Sequence, residues 1–235
     1  MIQLLASKTL DIFDYFHKKK IIKALKNLSI YKINTFMDIG AHKGESIEFF
    51  SKNLNIDKIY SFEASPENFV LLKNKYKNKK NLVLENIALS STISKKFFYQ
   101  CNESSSSTFS AINYNSKYLK KKMRFLNSSK KNDFFNKIEI TTNTLANYLS
   151  DNKILNIDLI KIDTEGHEYD VLVGLDRNIK NVKTIIFEHH YDNMIKKNYT
   201  FSDIHFFLKK NFFRQVFKIK MPFRKSFEYI YINEK

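Results

Sequence analysis

The sequence predicts a doubly wound, mostly parallel α/β sheet. From residue 34 onward, short apolar runs alternate with helical stretches, which is the pattern of strands connected by helices. The 235 residues include only 4 Gly and 2 Pro, fewer turn residues than an all-β sandwich or barrel usually contains. Hydrophobic residues make up 43% of the chain and aromatic residues 15%, so a core can form and the chain as a whole is not disordered.

Residues 1–33 are expected to form a helical extension that precedes a single domain over residues 34–235. Apolar residues recur at helical spacing in the extension, which predicts one or two amphipathic helices. Packing of these helices on the core is favoured over binding to a membrane surface, because Asp11 and Asp14 oppose contact with anionic lipid.

The main sheet is predicted to contain five strands with helices between them. The strands are expected over residues 35–39, 58–63, 82–87, 157–163 and 182–188, and the helices over 45–54, 67–76 and 168–175. After these elements, the C-terminal residues predict a helix over 202–210 and two strands, 215–219 and 227–232, joined by a turn at Pro222.

Residues 91–143 interrupt the alternation and are expected to form an inserted lid. They contain strands near 97–99 and 138–141, and a polar loop over 104–108. They also contain a helix flanked by the lysine clusters Lys120–Lys122 and Lys130–Lys131. An insertion at this point in the chain would lie where a lid covers substrate.

The chain is strongly basic, with a formal net charge of +16. Such a charge suggests nucleic acid, an anionic membrane or an acidic substrate as a partner. Nearly all of it comes from Lys, whereas readers of nucleic acid tend to use the planar fork of Arg. We therefore interpret the charge as a solvated lysine surface and do not expect nucleic acid as a partner.

A reduced, cytoplasmic protein is expected from the cysteine count and the N-terminus. Cys101 is the only cysteine, so neither an internal disulfide nor a cysteine-based zinc site can form within one chain. No segment reaches the about 20 apolar residues of a membrane-spanning helix, and the N-terminus does not resemble a signal peptide. The oligomeric state is left open, a homo-oligomer included.

The first candidate site is the segment from Asp38 to Gly44 between a strand and a helix. Gly40 allows a tight turn that a ligand can approach, and Gly44 lets the helix begin close to the sheet. Glu63 ends the next strand, where a carboxylate can accept hydrogen bonds from both hydroxyls of a ribose. His42 replaces the middle glycine of a dinucleotide loop and would crowd a pyrophosphate. These residues therefore favour S-adenosylmethionine over a dinucleotide.

The second candidate site is the run from Lys161 to Glu168 at the end of a later strand. Asp163 ends that strand and should face a pocket at the carboxyl edge of the sheet. Glu168 is interpreted as a helix-start residue that complements the macrodipole. For Asp163 and Glu165 a functional role is favoured, because ionisable groups clustered at this edge perturb one another's pKa values.

A third cluster, Glu188, His189 and His190, follows the next strand. Neighbouring strand ends would bring Glu188 and one histidine near Asp163. Two uses of this cluster stay open: a general base, or a divalent metal ion held by Asp, Glu and His.

In order along the chain, these segments resemble the FkbM-type S-adenosylmethionine-dependent methyltransferases. The matching segments are Phe36–Gly44, Phe62–Phe69, Glu85–Ser90, Thr144–Leu149, Lys161–Glu168 and Ile186–Glu188. Each one alone is weak, but the ordered set covers about residues 34–233. The chain departs from the family pattern at Ala64, where the family has Pro, and at His167, where it has a small or aliphatic residue. It departs again at Asn211–Phe213, where the family has Gly-Tyr.

The resemblance implies a Rossmann-like sheet of the class I methyltransferase type and transfer of a methyl group to oxygen. It implies an acceptor that is a small molecule, a sugar or a surface glycan such as capsule or lipopolysaccharide, or a precursor of one. The cofactor-binding residues that it implies are Asp38, Gly40, Ala41, His42, Gly44, Glu63, Ala64, Asn86, Ile87 and Ala88. The catalytic candidates are Asp163, Glu165, His167 and His190. The candidate ligands for Mg²⁺ or Mn²⁺ are Asp163, Glu188 and His189.

Two other classes of function are weighed against this one. A nucleic-acid methyltransferase would fit the charge, but the Pro-Pro motif of the N-methylating DNA enzymes does not occur, since Pro66 and Pro222 are the only prolines. A noncatalytic basic binding protein on the same fold would not need Glu63 or the acidic cluster around Asp163.

Overall fold

The computed structural model describes residues 2–101, 106–125 and 134–235, with side chains described from residue 13 onward, that of Phe125 excepted. The predicted loop over 104–108 therefore lies partly outside the described residues, and Lys130–Lys131 lie wholly outside them. No helix in the described ranges is long and apolar enough to cross a membrane.

Seven α-helices, one short 3-10 helix (Asp176–Asn181) and twelve strands occur in the described part of the chain. The helices are α1 (Ile2–Asn27), α2 (Glu45–Asn53), α3 (Pro66–Tyr76), α4 (Lys117–Phe125), α5 (Leu145–Asp151), α6 (Glu168–Val173) and α7 (Phe201–Lys210). The first strands are β1 (Lys32–Ile39), β2 (Asn55–Phe62), β3 (Leu82–Glu85), β4 (Ala88–Leu89), β5 (Lys95–Cys101) and β6 (Ala111–Ile112). The others are β7 (Phe135–Asn143), β8 (Ile157–Ile162), β9 (Val182–His190), β10 (Ile195–Lys196), β11 (Phe213–Lys220) and β12 (Ser226–Asn233).

The central sheet has seven strands in the order β11-β12-β9-β8-β1-β2-β3. Strands β9, β8, β1, β2 and β3 are parallel, and β12 and β11 continue the sheet as an antiparallel hairpin. This confirms the predicted doubly wound, mostly parallel α/β fold. Parallel strands covered on both faces are buried on both faces, as the uninterrupted burial of Phe36–Ile39 shows, and Asp38 is the one charged residue in that run. The carboxyl ends of β1, β2 and β8 meet at one edge of the sheet.

Two predicted element ends differ from the structure in ways that matter for the site. The third strand ends at Glu85, two residues earlier than expected, because β4 leaves the central sheet and pairs with β7. Strand β9 continues to His190, two residues further than expected, because β12 pairs with it as far as that residue.

The described residues between 91 and 143 contain a smaller antiparallel layer beside the main sheet. Strands β5 and β7 pair from Lys95 with Thr141 to Cys101 with Phe135. The predicted helix in this region begins earlier than expected, since α4 starts at Lys117 and includes the first lysine cluster.

The N-terminal residues form one helix, α1, in the described range. Ile21, Ile22 and Leu25 are buried in the core beneath β1. Phe13 and Phe16, which the helical spacing places on the apolar face, are instead 41% and 56% exposed.

Candidate active site

The turn after β1 brings three strand ends into contact. Gly40 has φ of +86°, and a Cβ atom there would lie 2.0 Å from the carbonyl oxygen of Asp163. The backbone N–H groups of Gly40 and Ala41 each donate to the carbonyl oxygen of Phe62, at 3.0 Å. Only glycine permits this approach, so the predicted role of Gly40 has a steric basis.

Glu63 is buried directly after β2 and organises the loop around it. Its Oε2 accepts the backbone N–H of His42 at 2.7 Å, and its Oε1 accepts that of Ser65 at 2.9 Å. The Asn86 amide donates to the carbonyl oxygen of Glu63 at 2.7 Å. Burial raises the pKa of Glu63, and this effect outweighs the two N–H donors, which lower it. The Asn68 side chain also acts on this carboxylate, which has about four acceptor sites in all and so keeps capacity for a ligand hydroxyl.

A cavity lies against this loop, with about 530 Å³ of empty space including its open mouth. Of the predicted cofactor residues, those that line it are Gly40, His42, Glu63, Ala64 and Ile87. The inserted layer supplies the facing wall through Phe98, Ser107 and Phe109. The cavity thus combines a carboxylate, a glycine turn and aromatic walls.

The other predicted cofactor residues lie outside the lining of this cavity. Asn86 holds the backbone of Glu63, and Ala88 is buried in β4. Gly44 has φ of +84°, and a Cβ atom there would lie 2.4 Å from the ring of Tyr76. Ala41 lines the neighbouring cleft described below.

Asp38 lies beneath the turn with its side chain fully buried. Neither of its carboxylate oxygens has a hydrogen-bond partner in the described part of the chain. Burial raises the pKa of Asp38 to about 6, against the opposing charge of Lys161. A buried acceptor without a donor is costly, so this carboxylate fits a ligand that brings a cation or a hydrogen-bond donor.

Asp163 is held by a buried lysine two residues before it. The Lys161 ammonium donates to Oδ2 of Asp163 at 2.8 Å. Although burial opposes ionisation of Asp163, Lys161 keeps its pKa below the usual value. Burial also disfavours the charge on Lys161, but Asp163 and Glu228 raise its pKa. Asp163 is therefore an ionised, oriented carboxylate at neutral pH.

His190 lies between two carboxylates from different strand ends. Its Nε2 is 3.4 Å from Oε2 of Glu165 and 3.4 Å from Oε1 of Glu188. Burial disfavours the imidazolium, but the two carboxylates raise the pKa of His190 to about 10. Burial raises the pKa of Glu188 to about 7, against the opposing charge of His190. At neutral pH His190 carries its proton, while Glu188 is poised to exchange one.

The inserted layer fixes the loop that carries Glu165. The hydroxyls of Thr108 and Ser110 donate to the carbonyl oxygens of Glu165 and Gly166 at 2.6 and 2.8 Å. From the other side, Oε1 of Glu168 accepts the backbone N–H of Gly166 at 2.9 Å. Glu165 itself has φ of +50°, a strained value for a residue other than glycine. The loop conformation is thus imposed by its neighbours.

His167 lies on the cofactor side, away from the cluster around His190. Its Nε2 is 3.0 Å from the hydroxyl of Ser90, and its ring packs on Phe109 with centroids 4.9 Å apart. Burial lowers the pKa of His167, although the negative charge of Asp170 acts to raise it. The structure therefore does not bring this catalytic candidate to the same place as Glu165 and His190.

The predicted metal ligands Asp163, Glu188 and His189 do not converge. Successive residues of a strand point to opposite faces, and β9 extends through His190, so His189 faces away from Glu188. Its Nε2 lies 3.3 Å from the Lys197 ammonium. Within the ranges that the structure describes, no group of three His, Cys, Asp or Glu side chains could hold a metal ion.

A second, larger cleft opens between α1, α2 and the β11–β12 hairpin. It contains about 1700 Å³ of empty space including its mouth, and it meets the cofactor cavity at Gly40, His42 and Asp163. Six carboxylates line it: Asp14, Glu45, Glu48, Asp163, Glu188 and Glu228. Four lysines and arginines line it: Lys18, Lys52, Lys161 and Arg224. The cleft is thus more acidic than basic, in a chain of net charge +16.

Sequence reasoning did not place α1 and the hairpin at the site. Arg224 donates to Oδ2 of Asp14 at 2.9 Å, and Nε2 of His17 lies 2.5 Å from Oε2 of Glu228. Lys161 is part of the predicted run from Lys161 to Glu168, and it stands out as a charged residue inside a buried apolar strand. No comparable local signal marks Asp14, His17 or Glu228.

Comparison with known families and structures gives one family match and a set of similar folds. The model of the Methyltransferase FkbM domain matches residues 38–215. No curated protein matches the sequence.

Two solved methyltransferases resemble the fold over nearly the whole chain. Magnesium protoporphyrin IX methyltransferase from Synechocystis PCC 6803, solved with bound SAM, has 10% identity and a TM-score of 0.53, with 95% of this chain and 81% of that chain covered. N-methyltransferase NodS from Bradyrhizobium japonicum WM9 has 10% identity and a TM-score of 0.51, with 94% and 97% covered. At this identity the likeness concerns the fold.

Proposed function

The chain belongs to the FkbM methyltransferase family and is an S-adenosylmethionine-dependent methyltransferase, and from that premise we propose that it methylates a hydroxyl of a sugar or surface glycan. The observation that carries the proposal is the meeting of two spaces at one edge of the sheet. A cavity suited to the cofactor joins a wide, carboxylate-lined cleft at Gly40, His42 and Asp163.

The residues that line the cavity, together with Asp38 beneath it, fit S-adenosylmethionine. Glu63 would accept the ribose hydroxyls, since its carboxylate keeps acceptor capacity beyond its protein donors. Asp38, which is buried without a donor, would receive the ammonium of the methionine part. The aromatic side chains of Phe98 and Phe109 offer a dry wall for the adenine. These roles are proposals, and each has a distinct variant that tests it.

When bound, S-adenosylmethionine supplies an electrophilic methyl group on its sulfonium. A sugar hydroxyl is a weak acid, so transfer to oxygen benefits from a group that removes its proton. We assign this role to Oε1 of Glu188, which lines the cleft, makes no hydrogen bond in the described part of the chain, and has a pKa of about 7. A base with a pKa near the working pH is the most effective kind.

Three neighbours would position the base and the acceptor. His190, protonated between Glu165 and Glu188, stabilises the ionised form of Glu188. Asp163, fixed by Lys161, presents a charged acceptor where the two spaces meet. His167 is assigned to the wall of the cofactor cavity, where it bonds to Ser90.

A sugar acceptor is favoured over nucleic acid by the charge of the cleft. A polyanion is held mainly by Lys and Arg that neutralise its phosphates. The cleft instead carries six carboxylates against four lysines and arginines. We also propose that residues 91–143 act as a lid, because Phe98, Ser107 and Phe109 form one wall of the cavity. The single domain over residues 34–235 and the cytoplasmic location stay predictions from the sequence.

The test is transfer of a labelled methyl group to a panel of acceptors. The protein is incubated with methyl-labelled S-adenosylmethionine and sugar nucleotides, surface-glycan fragments, transfer RNA or a protein lysate. The expected result is label in a carbohydrate, as a methyl ether that resists mild base. Label in RNA or protein alone would contradict the proposed acceptor, while binding of S-adenosylhomocysteine would still report on the cofactor site.

A further inference from the structure

We propose that one outer face of the protein docks on the surface of an anionic lipid bilayer. The face combines exposed aromatic rings and exposed lysines from α1 and from the tip of the β11–β12 hairpin. We call it the aromatic–lysine face, and its residues are Phe13, Phe16, Lys20, Lys23, Phe223 and Lys225. The inference goes beyond the proposed function, because it concerns a partner surface and not the reaction.

The helical part of the face follows from the spacing along α1. Residues three, four and seven apart lie on the same side of a helix, which aligns Phe13 and Phe16 with Lys20 and Lys23. Phe13 is 41% exposed, Phe16 is 56% exposed, and both lysines are exposed. The opposite side of the same helix packs on the core beneath β1. The outer side of α1 is thus aromatic at one end and basic at the other.

The hairpin tip adds a third phenylalanine to the same surface. Phe223 is 71% exposed and has φ of +58°, a backbone conformation that favours Gly or Asn. Its ring meets that of Phe13 edge-on, with centroids 5.0 Å apart. Arg224, the next residue, donates to Oδ2 of Asp14 at 2.9 Å. These two contacts fix the helix and the hairpin into one continuous face.

An adjoining group of exposed rings marks a contact surface. Single exposed apolar residues are common on proteins, whereas neighbouring ones from two segments are typical of an interaction site. Phe223 in particular keeps a large ring in water on a backbone that a smaller residue would adopt more easily. Burial of these rings against a partner would stabilise the complex.

The charge of the face identifies the partner as an anionic bilayer. Lysines beside aromatic rings are typical of helices that lie in a membrane interface, where the rings enter the head-group region and the lysines attract anionic lipid. A second copy of the chain would bring lysines against lysines at a net charge of +16. Asp14, whose charge opposes contact with lipid, is paired with Arg224.

Single-stranded nucleic acid is the other partner that aromatic rings and lysines can bind. It is held in a basic groove that follows its backbone, with the bases stacked on the rings. The rings of this face instead lie on the outer side of a helix and at the tip of a hairpin. The cleft beside them carries more carboxylates than lysines and arginines. The bilayer is therefore the favoured partner.

The face borders the mouth of the carboxylate-lined cleft. Each of its three phenylalanines is followed directly by a residue that lines the cleft, namely Asp14, His17 and Arg224. Docking would therefore bring the cleft to the bilayer surface. If the proposed function holds, a sugar acceptor attached to a lipid would be presented to the cleft at that surface.

The first test is binding of the full-length protein to vesicles, measured by flotation. We expect binding to vesicles of phosphatidylcholine and phosphatidylglycerol in equal amounts, weaker binding to phosphatidylcholine alone, and loss of binding as salt is raised. Absence of binding to the mixed vesicles would overturn the proposal. The assay contains neither methyl donor nor acceptor, so its failure leaves the proposed reaction standing, and failure of methyl transfer leaves the docking face standing.

A matched pair of variants separates the face from the general charge of the chain. Phe223→Asn suits the left-handed backbone, so it should melt no lower than the wild type, yet bind mixed vesicles about tenfold more weakly. The control is Phe212→Asn. Phe212 is 53% exposed and has φ of +67°, but it lies at the opposite end of the β11–β12 hairpin. Equal affinities of the two variants would overturn the proposal.

The lysines are tested in the same way. Lys20→Gln combined with Lys23→Gln should weaken binding to mixed vesicles at least about tenfold. Lys77→Gln combined with Lys80→Gln removes the same charge from exposed positions between α3 and β3, and should have little effect. An equal loss in both double variants would mean that net charge alone attracts the vesicles, and would contradict docking by this face.

A tryptophan reporter shows directly which ring enters the lipid. The chain contains no Trp, so Phe223→Trp and Phe212→Trp each introduce a single indole. Mixed vesicles should shift the emission of Phe223→Trp to shorter wavelength and leave that of Phe212→Trp in place. A shift in both variants or in neither would overturn the proposal. A response of Phe223→Trp to an RNA oligonucleotide, without one to vesicles, would assign the face to nucleic acid instead.

Discussion

Oε1 of Glu188 lies 3.4 Å from Nε2 of His190, and neither atom makes a hydrogen bond in the described part of the chain. The two groups form an ion pair without a hydrogen bond. Both pKa values are raised, and because His190 already carries its proton at neutral pH, it cannot accept one from the substrate. Glu165 and Glu188 raise the pKa of His190 to about 10, while the pKa of Glu188 is about 7. Glu188 is therefore the better acceptor of a substrate proton.

The pH dependence of methyl transfer should report on Glu188. The base must be ionised, so the single-turnover rate is expected to rise with pH and to level off above about pH 7. His190→Gln removes the nearby positive charge and should raise the pKa of Glu188, which shifts the profile to higher pH. His205→Gln on α7, whose ring contacts the Tyr231 hydroxyl, is the control and should leave the profile in place. An unshifted profile in His190→Gln would remove His190 from the proposed mechanism.

Glu63 should set the affinity for the cofactor. Glu63→Ala removes the carboxylate that is expected to bind the ribose, and should weaken S-adenosylhomocysteine binding by roughly 2–3 kcal/mol. Isothermal titration calorimetry measures this loss. Glu139→Ala, at an exposed glutamate on β7, is the matched control and should leave the affinity unchanged. Wild-type affinity in Glu63→Ala would show that the ribose lies elsewhere.

Asp38 should make the ligand-free protein less stable as the pH rises. Its folded pKa of about 6 lies above the ordinary value of an aspartate, so its contribution to stability is complete below about pH 4 and is lost as pH rises through 6. Asp38→Asn removes that loss, and its free energy of unfolding at pH 8 should exceed the wild-type value by up to about 3 kcal/mol.

Urea unfolding of both proteins at pH 5 and pH 8 measures this difference. Asp38→Asn should at the same time bind S-adenosylhomocysteine more weakly, because the ammonium loses its counter-ion. A variant that is less stable than the wild type at both pH values would mean that Asp38 has a structural partner.

Chelation should not affect the reaction. His189 faces away from Glu188 and the three predicted metal ligands do not converge, so EDTA is expected to leave methyl transfer unchanged. Loss of activity with EDTA and its recovery with Mg²⁺ or Mn²⁺ would restore a metal role to Asp163 and Glu188.

The parts of the site that a sequence can predict are those fixed by short segments. The turn at Gly40, the carboxylate of Glu63 and the run from Lys161 to Glu168 each combine a strand end with its own loop, so local pattern suffices. The difference at His189 came from the end of β9. That end depends on pairing with β12, which no pattern within β9 reveals.

The wall of the cleft was beyond local reasoning for a similar reason. Asp14 meets Arg224, and His17 meets Glu228, across 210 and 211 residues of sequence. Each residue alone reads as a surface charge on a helix or a hairpin. Only the order β12-β9-β8 in the sheet brings the C-terminal hairpin next to the ends of the motif strands.

The most direct test of the proposed chemistry is the rate of methyl transfer by Glu188→Gln to whichever carbohydrate the acceptor panel identifies. The substitution keeps the size of the side chain and removes its ability to accept a proton. Its single-turnover rate should fall by roughly 10²–10⁴, while S-adenosylhomocysteine binds as it does to the wild type. A wild-type rate in Glu188→Gln, with the label still on a sugar oxygen, would contradict the assignment of Glu188 as the base.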